Sequence, residues 1–98
     1  MNKPPFSDPA PLLSIIVPAY NSQATLERCI DSVFSFGAAE SVEVIIVDDY
    51  SSDQTQAVCA HQSSRYDGVR THRNSKNQGV AESRNKGINL ARGKYVGF

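Results

Sequence analysis

Two adjacent carboxylates, Asp48 and Asp49, follow directly on the apolar run Val44-Ile45-Ile46-Val47. Neighbouring side chains on a strand face opposite ways, so the pair cannot both enter one core. At least one is expected to emerge at the carboxyl end of the strand, where an acid can accept hydrogen bonds from a ribose or a base. The competing reading is a solvated strand end beside a helix cap at Ser51 or Ser52. A second group is Asn77-Gln78-Gly79, which precedes a helical pattern and has Arg73, Lys76, Arg84 and Lys86 nearby. A helix N-terminus offers free N–H groups and partial positive charge, so phosphate or pyrophosphate is its natural guest. A glycine turn with ordinary surface charge is the alternative. Tyr20 could stack on a base or pack on the first helix. His61 and His72 lack partners at metal-ligand spacing and read as structural or surface histidines.

These groups must be carried by a regular framework. Ile15, Ile16 and Val17 form an unbroken β-branched run, and Pro18 removes a backbone donor and is expected to stop regular pairing. The run reads as a strand buried on both faces, so Pro18, Ala19, Tyr20 and Asn21 sit where an open α/β sheet binds its ligands. A helix capped by Asn21 or Ser22 follows, with Leu26, Cys29, Ile30 and Val33 on one face and Gly37 as its stop. The second strand is Val42 to Val47. A second helix, capped at Ser51 or Ser52 with Asp53 in its first turn, runs to about Ser63. A weak third strand spans Val69 to His72. Val80, Ala81, Arg84, Ile88 and Ala91 trace a third helix, and Lys94 to Phe98 begin a fourth, edge strand. The alternation β-α-β-α-β-α-β implies a parallel sheet with right-handed crossovers.

The composition restricts the partners. The 98 residues make one small domain at most, and ten basic and ten acidic side chains cancel. That balance gives no argument for nucleic acid or an anionic membrane. Apolar residues make up 40% of the chain, enough for a modest core. The two cysteines, Cys29 and Cys59, fall on apolar helix positions with no CxxC or Cys/His spacing. They read as small buried hydrophobes, which fits a reducing compartment. The longest apolar stretch is far short of the roughly 18 residues of a membrane span. The first eleven residues hold four of the five prolines and no apolar h-region, so they read as a flexible leader rather than a signal peptide. Neither G-x-G-x-x-G nor G-x-x-x-x-G-K-[ST] is present, which argues against a dinucleotide dehydrogenase or a P-loop enzyme.

Taken in order, Ser14-Ile15-Ile16-Val17-Pro18-Ala19-Tyr20-Asn21, Val47 to Thr55, Asn77 to Gly87 and Gly93 to Phe98 resemble the start of a family 2 glycosyltransferase, the inverting type with a GT-A fold. The resemblance implies an α/β, three-layer Rossmann-like half-domain over residues 12–98, truncated after the fourth strand, behind a leader at 1–11. It implies that Pro18, Ala19 and Tyr20 line a base pocket and that Asp49 binds the base or ribose edge. Asn77 and Gly79 would border the nucleotide, with Arg84 near the diphosphate. Tyr50 departs from the family pattern, where glycine or asparagine is more usual. The family's Asp-X-Asp metal motif, holding Mg or Mn, is expected after Phe98, and so is its general base. The implied donor is a nucleotide-sugar, UDP-linked before others, and the acceptor is a glycan or lipid. Work at the cytoplasm or the cytoplasmic face of the membrane is implied, in polysaccharide biosynthesis. The chain alone should bind nucleotide weakly and not transfer sugar. A non-catalytic nucleotide-binding or protein-interaction module, self-associating through the exposed sheet edge, is the rival. A flavodoxin-like or receiver-like domain is a third option, but it needs a fifth strand.

Overall fold

The computed structural model describes residues 10–35 and 41–98. Most of the proline-rich leader and the predicted helix stop at Gly37 lie outside those residues. Strands β1 (Leu13–Ala19), β2 (Val42–Asp48), β3 (Val69–Arg73) and β4 (Tyr95–Gly97) alternate with helices α1 (Leu26–Phe34), α2 (Thr55–Arg65) and α3 (Val80–Leu90). All strand pairs are parallel, in the order β3-β2-β1-β4. The topology is the one the alternation predicts, with β4 at an edge.

The period of two along the strands divides the core between the two faces of the sheet. Val44, Ile46 and Ala19 face α1 and α2, where they pack with Leu26, Ile30 and Cys59. Ile16, Ile45 and Val47 face the other way, against Leu90 and Ala91 at the end of α3. The result is three layers. β2 is buried along its whole length because it has a strand on each side and helices on both faces. β1 is only partly buried, because β4 flanks no more than its first three residues.

Several local expectations need correction. Pro18 does not stop the pairing: it lies inside β1, opposite Val47. Asp49 N–H donates to Ala19 O at 2.8 Å, so residue 19 faces β2 and residue 18 turns its backbone toward the β4 side. Pairing with β4 ends at Ile15, so the missing proline N–H costs no hydrogen bond there. Asn21 and Ser22 do not cap α1. Asn21 N–H donates to Ser51 Oγ at 2.9 Å, and its Oδ1 accepts from Ser52 N–H at 2.9 Å, which ties the loop after β1 to the loop after β2. Ser51 and Ser52 do not cap α2 either. The acceptor for Thr55 N–H is Asp53 Oδ1, at 2.9 Å.

The buried face of α3 also differs from the expected one. Ser83 and Gly87 are buried, whereas Val80, Arg84 and Ile88 are exposed. A small-residue pair at i, i+4 lets the helix lie flat on β1. A Cβ added at Gly87 would stand 2.3 Å from Ile16 Cγ2. Cys59 is buried as expected, while Cys29 is exposed on the outer side of α1. Among the described residues no helix is long and apolar enough to cross a membrane.

Candidate functional site

The two acids at the end of β2 point to opposite sides of the sheet, as strand alternation requires. Neither emerges into solvent: Asp48 is 2% exposed and Asp49 5%. Each carboxylate is held by hydrogen bonds, which is why both can be buried. Asp48 faces α2 and accepts from Ser51 N–H at 3.1 Å, Ser51 Oγ at 2.5 Å and Arg73 Nη1 at 3.4 Å. Asp49 faces α3. Its Oδ1 accepts from Gln78 N–H at 2.7 Å and Asn74 Nδ2 at 2.9 Å, and its Oδ2 from Gly79 N–H at 2.9 Å. Burial alone would raise the Asp49 pKa, but the Gln78, Asn74 and Gly79 donors outweigh it and hold the carboxyl below its ordinary value.

This geometry changes what the start of α3 offers a ligand. The N–H groups of Gln78 and Gly79, expected to receive phosphate, are taken by the Asp49 side chain. The anion at this helix N-terminus is part of the chain itself. Gly79 has φ 94°, a conformation that glycine adopts without strain, and this bend aims both N–H groups back at Asp49.

Beside Asp49 lies a cleft of about 90 Å³, lined by Pro18, Ala19, Tyr20, Asp49, Val80 and Ser83. It opens at the carboxyl ends of β1 and β2. Tyr20 and Val80 are each about half exposed and form its apolar rims. A carboxylate has roughly four lone-pair sites. Three of those on Asp49 are filled from the described residues, two on Oδ1 and one on Oδ2.

Of the residues singled out in the sequence, Pro18, Ala19, Tyr20 and Asp49 thus share one concavity. Gly79 borders it through Asp49 Oδ2, and Asn77 Nδ2 lies 3.5 Å from Asp49 O. Arg84 does not line the cleft. Its guanidinium carbon stands 5.6 Å from the centre of the Phe98 ring, one residue beyond Ser83 on α3. Sequence reasoning missed Val80, Ser83 and Asn74. Val80 was assigned to the buried face of α3 and instead forms a rim. Asn74, 4% exposed, donates to both Asp49 and Ser83 and couples β3 to the cleft. The small pair Ser83 and Gly87 was the available signal for the packed face of α3.

Tyr50 occupies the turn after Asp49 with φ 64°, a left-handed conformation that suits glycine or asparagine better. Its ring receives the Arg73 guanidinium at 4.8 Å. Arg73 in turn donates to Gln56 Oε1 and Ser51 O, so the turn is held from both sides. A larger groove, about 380 Å³ and lined by polar and charged residues, runs between β3 and α3 past His72, Asn74, Gln78, Glu82 and Lys86. Burial, followed by the charge of Lys86, lowers the His72 pKa.

The residues present do not fit a divalent cation. No three His, Cys, Asp or Glu side chains cluster among the described residues, and Asp48 and Asp49 face opposite ways.

The comparison with known proteins gives this geometry a family. A family model described as glycosyl transferase family 2 matches residues 14–98. The chain belongs to that family. It is 38% identical over 88 residues to the uncharacterized glycosyltransferase EpsJ of Bacillus subtilis, covering 90% of this chain and 25% of EpsJ. It is 39% identical over 94 residues to the succinoglycan biosynthesis protein ExoO of Rhizobium meliloti, covering 95% of this chain and 26% of ExoO. Among solved structures, the mannosyltransferase PcManGT from Pyrobaculum calidifontis, in complex with GDP-Man and Mn2+, superposes with a TM-score of 0.81 at 25% identity. That match covers 88% of this chain and 26% of PcManGT. S. aureus TarS 1-349 in complex with UDP-GlcNAc gives a TM-score of 0.69 at 27% identity, over 87% of this chain and 25% of TarS 1-349. The four-stranded sheet is therefore a GT-A, Rossmann-like half-domain. The chain spans about a quarter of the length of the relatives it matches.

Proposed function

We propose that this chain is the donor-nucleotide-binding part of an inverting glycosyltransferase. The observation that carries the reading is the cleft at the carboxyl ends of β1 and β2, which the buried carboxylate of Asp49 and the ring of Tyr20 line together. A base enters with its face on Tyr20 and Pro18 and its edge toward Asp49 Oδ2. Uracil and guanine carry a ring N–H on that edge and satisfy the acceptor. Cytosine offers only its exocyclic amino group on that edge, beside a ring lone pair that the carboxylate repels, and is disfavoured. The donor is therefore a UDP- or GDP-sugar, with UDP first. Asn77 and Gly79 border the nucleotide, and Arg84, long and exposed, swings from Phe98 to the diphosphate.

In the whole protein the acceptor, a glycan or lipid hydroxyl, attacks the sugar in one displacement with inversion. The general base and the divalent cation for the leaving group belong to residues outside this chain. The chain by itself binds nucleotide and does not turn it over. ExoO's name supports a place in polysaccharide biosynthesis, and we assign that work to the cytoplasm or the cytoplasmic face of the membrane.

Isothermal titration of the 98-residue chain with UDP, GDP and CDP tests the reading. UDP or GDP should bind more tightly than CDP, and Tyr20→Ala should weaken binding by about fivefold or more, the worth of one stacked base. Equal affinity for the three, or an unchanged Tyr20→Ala, would overturn it.

A second reading is favoured by the edge at β4, where Tyr95 and Phe98 are 57% and 67% exposed and Leu12 lies alongside. An unpaired strand edge of this kind can add a strand from a second copy. Sedimentation over a concentration series separates the readings, since self-association without nucleotide binding favours the interaction module.

A further inference from the structure

A third carboxylate is buried, at the amino end of the sheet, opposite the cleft. Glu43, the second residue of β2, has no exposed surface. Its Oε2 accepts from Ser14 Oγ at 2.5 Å and from Arg92 N–H at 2.7 Å, and its Oε1 accepts from Arg70 Nη1 at 3.0 Å. The connections continue outward. Ser14 Oγ accepts from Gly93 N–H at 2.8 Å, and Arg70 Nη1 also donates to Leu90 O at 2.9 Å. One carboxylate thus gathers β1, β3, the end of α3 and the turn that leads into β4. The fit is tight, since a Cβ at Gly93 would stand 2.6 Å from Ser14 Oγ.

Beyond these contacts β4 is held by backbone bonds, its ladder to β1 and the bonds of Lys94 N–H to Pro11 O at 3.2 Å and Tyr95 N–H to Leu12 O at 2.9 Å. It is three residues long, pairs only with β1, and leaves Tyr95 and Val96 exposed. Apolar burial alone therefore sets its register weakly. Yet the register decides where Phe98 falls. With Leu13 opposite Tyr95 and Ile15 opposite Gly97, the Phe98 ring comes under the Arg84 guanidinium, one residue past the cleft residue Ser83. A buried ion satisfied on both oxygens is poor value as core packing but specific in direction.

We propose that Glu43 is a positioning residue: from the far end of the sheet it fixes the register of β4 and so seats Phe98 against Arg84, the α3 residue that follows Ser83 of the cleft. The functional weight of that placement rests on the nucleotide reading above; the placement itself does not.

The test is amide hydrogen exchange by NMR on the whole 98-residue chain without nucleotide, comparing the parent with Glu43→Gln and Ser14→Ala. In both variants the Gly93, Lys94 and Tyr95 amides should exchange about tenfold faster or more, the scale of one lost charge-assisted hydrogen bond. The Phe98 ring resonances should move away from their parent positions. The Ile45 to Val47 amides should change by less than about twofold if the effect stays local to β4. Equal acceleration of Ile45 to Val47 would reduce Glu43 to a core residue and overturn the proposal, as would unchanged exchange at Gly93 to Tyr95. Should Glu43→Gln fail to fold, Ser14→Ala decides by the same criterion, because it removes the relay to Gly93 and one donor to Glu43 while leaving the Arg70 and Arg92 N–H bonds to the carboxylate in place. Failure of the nucleotide reading would leave these exchange rates untouched.

Discussion

Replacing Asp49 by alanine removes the acceptor for Gln78 N–H, for Gly79 N–H and for the shorter bond of Asn74 Nδ2, which also donates to Ser83 Oγ. Hydrogen bonds to a charged group are worth about 1.5–3 kcal/mol each, and the three are not independent because water reaches part of the vacated space. Losing them together should cost about 3–5 kcal/mol, the usual range for removing one partner of a buried charged pair. A chain of this size has roughly 5–15 kcal/mol of stability in all. The midpoint of thermal unfolding, followed by circular dichroism, should therefore fall by at least about 12 °C. The loss should be local before it is global, with the Gln78 and Gly79 amides losing protection from exchange first. Asp49→Asn should fall between, since its oxygen still serves one side of the loop while its NH2 faces a donor. A midpoint shift under about 4 °C for Asp49→Ala, with Gln78 and Gly79 still protected, would refute the account of Asp49 as the internal anion of α3.

Three other outcomes follow from the same structure. Gly87→Ala should destabilise by about 1–3 kcal/mol in chemical denaturation, because the new methyl meets Ile16 Cγ2 at 2.3 Å with a whole helix and strand behind it. Tyr50→Asn should be nearly neutral in the parent, where relief of about 1 kcal/mol of left-handed strain is offset by the lost Arg73 contact. In an Arg73→Ala background the same change should stabilise by about 1 kcal/mol, since only the strain remains. Stability should slip slightly as pH falls through about 6.5, because the His72 pKa is lowered in the fold, and decline more steeply below about 5. The Glu43 and Asp49 pKa values lie below their ordinary 4.5 and 3.8, so the unfolded chain takes up protons first and stability is lost as pH falls through the folded values. Denaturation midpoints from pH 7 to pH 3 measure this, and Glu43→Gln should shallow the decline.

The sequence carried the element order and the parallel sheet because each strand is a compact apolar run and each helix has its own period. It also carried Pro18, Ala19, Tyr20 and Asp49, since the carboxyl ends of neighbouring parallel strands must meet. The hydrogen-bond partners of those residues were hidden. That Asp49 would satisfy Gln78 and Gly79 depends on the left-handed φ of Gly79, which folds the loop back, and no local pattern reports such a bend. The packed face of α3 was misread because Val80 and Ile88 look like core residues. The layer beneath is filled by Ile16, which needs Gly87 rather than a large side chain above it. Pro18 was misread as a terminator because its backbone direction depends on which neighbour ends first, a tertiary fact. Glu43, a lone acid in an apolar strand, showed nothing of its role, because its partners at 14, 70 and 92 are far away in the chain.

The most direct test of the central claim is an NMR titration of the chain with UDP, reading backbone amide shifts. Perturbations should concentrate at Ala19, Tyr20, Asp49, Gly79, Val80 and Ser83, around the cleft. Shifts confined to the polar groove at His72, Glu82 and Lys86, or no saturable shift at millimolar UDP, would contradict it.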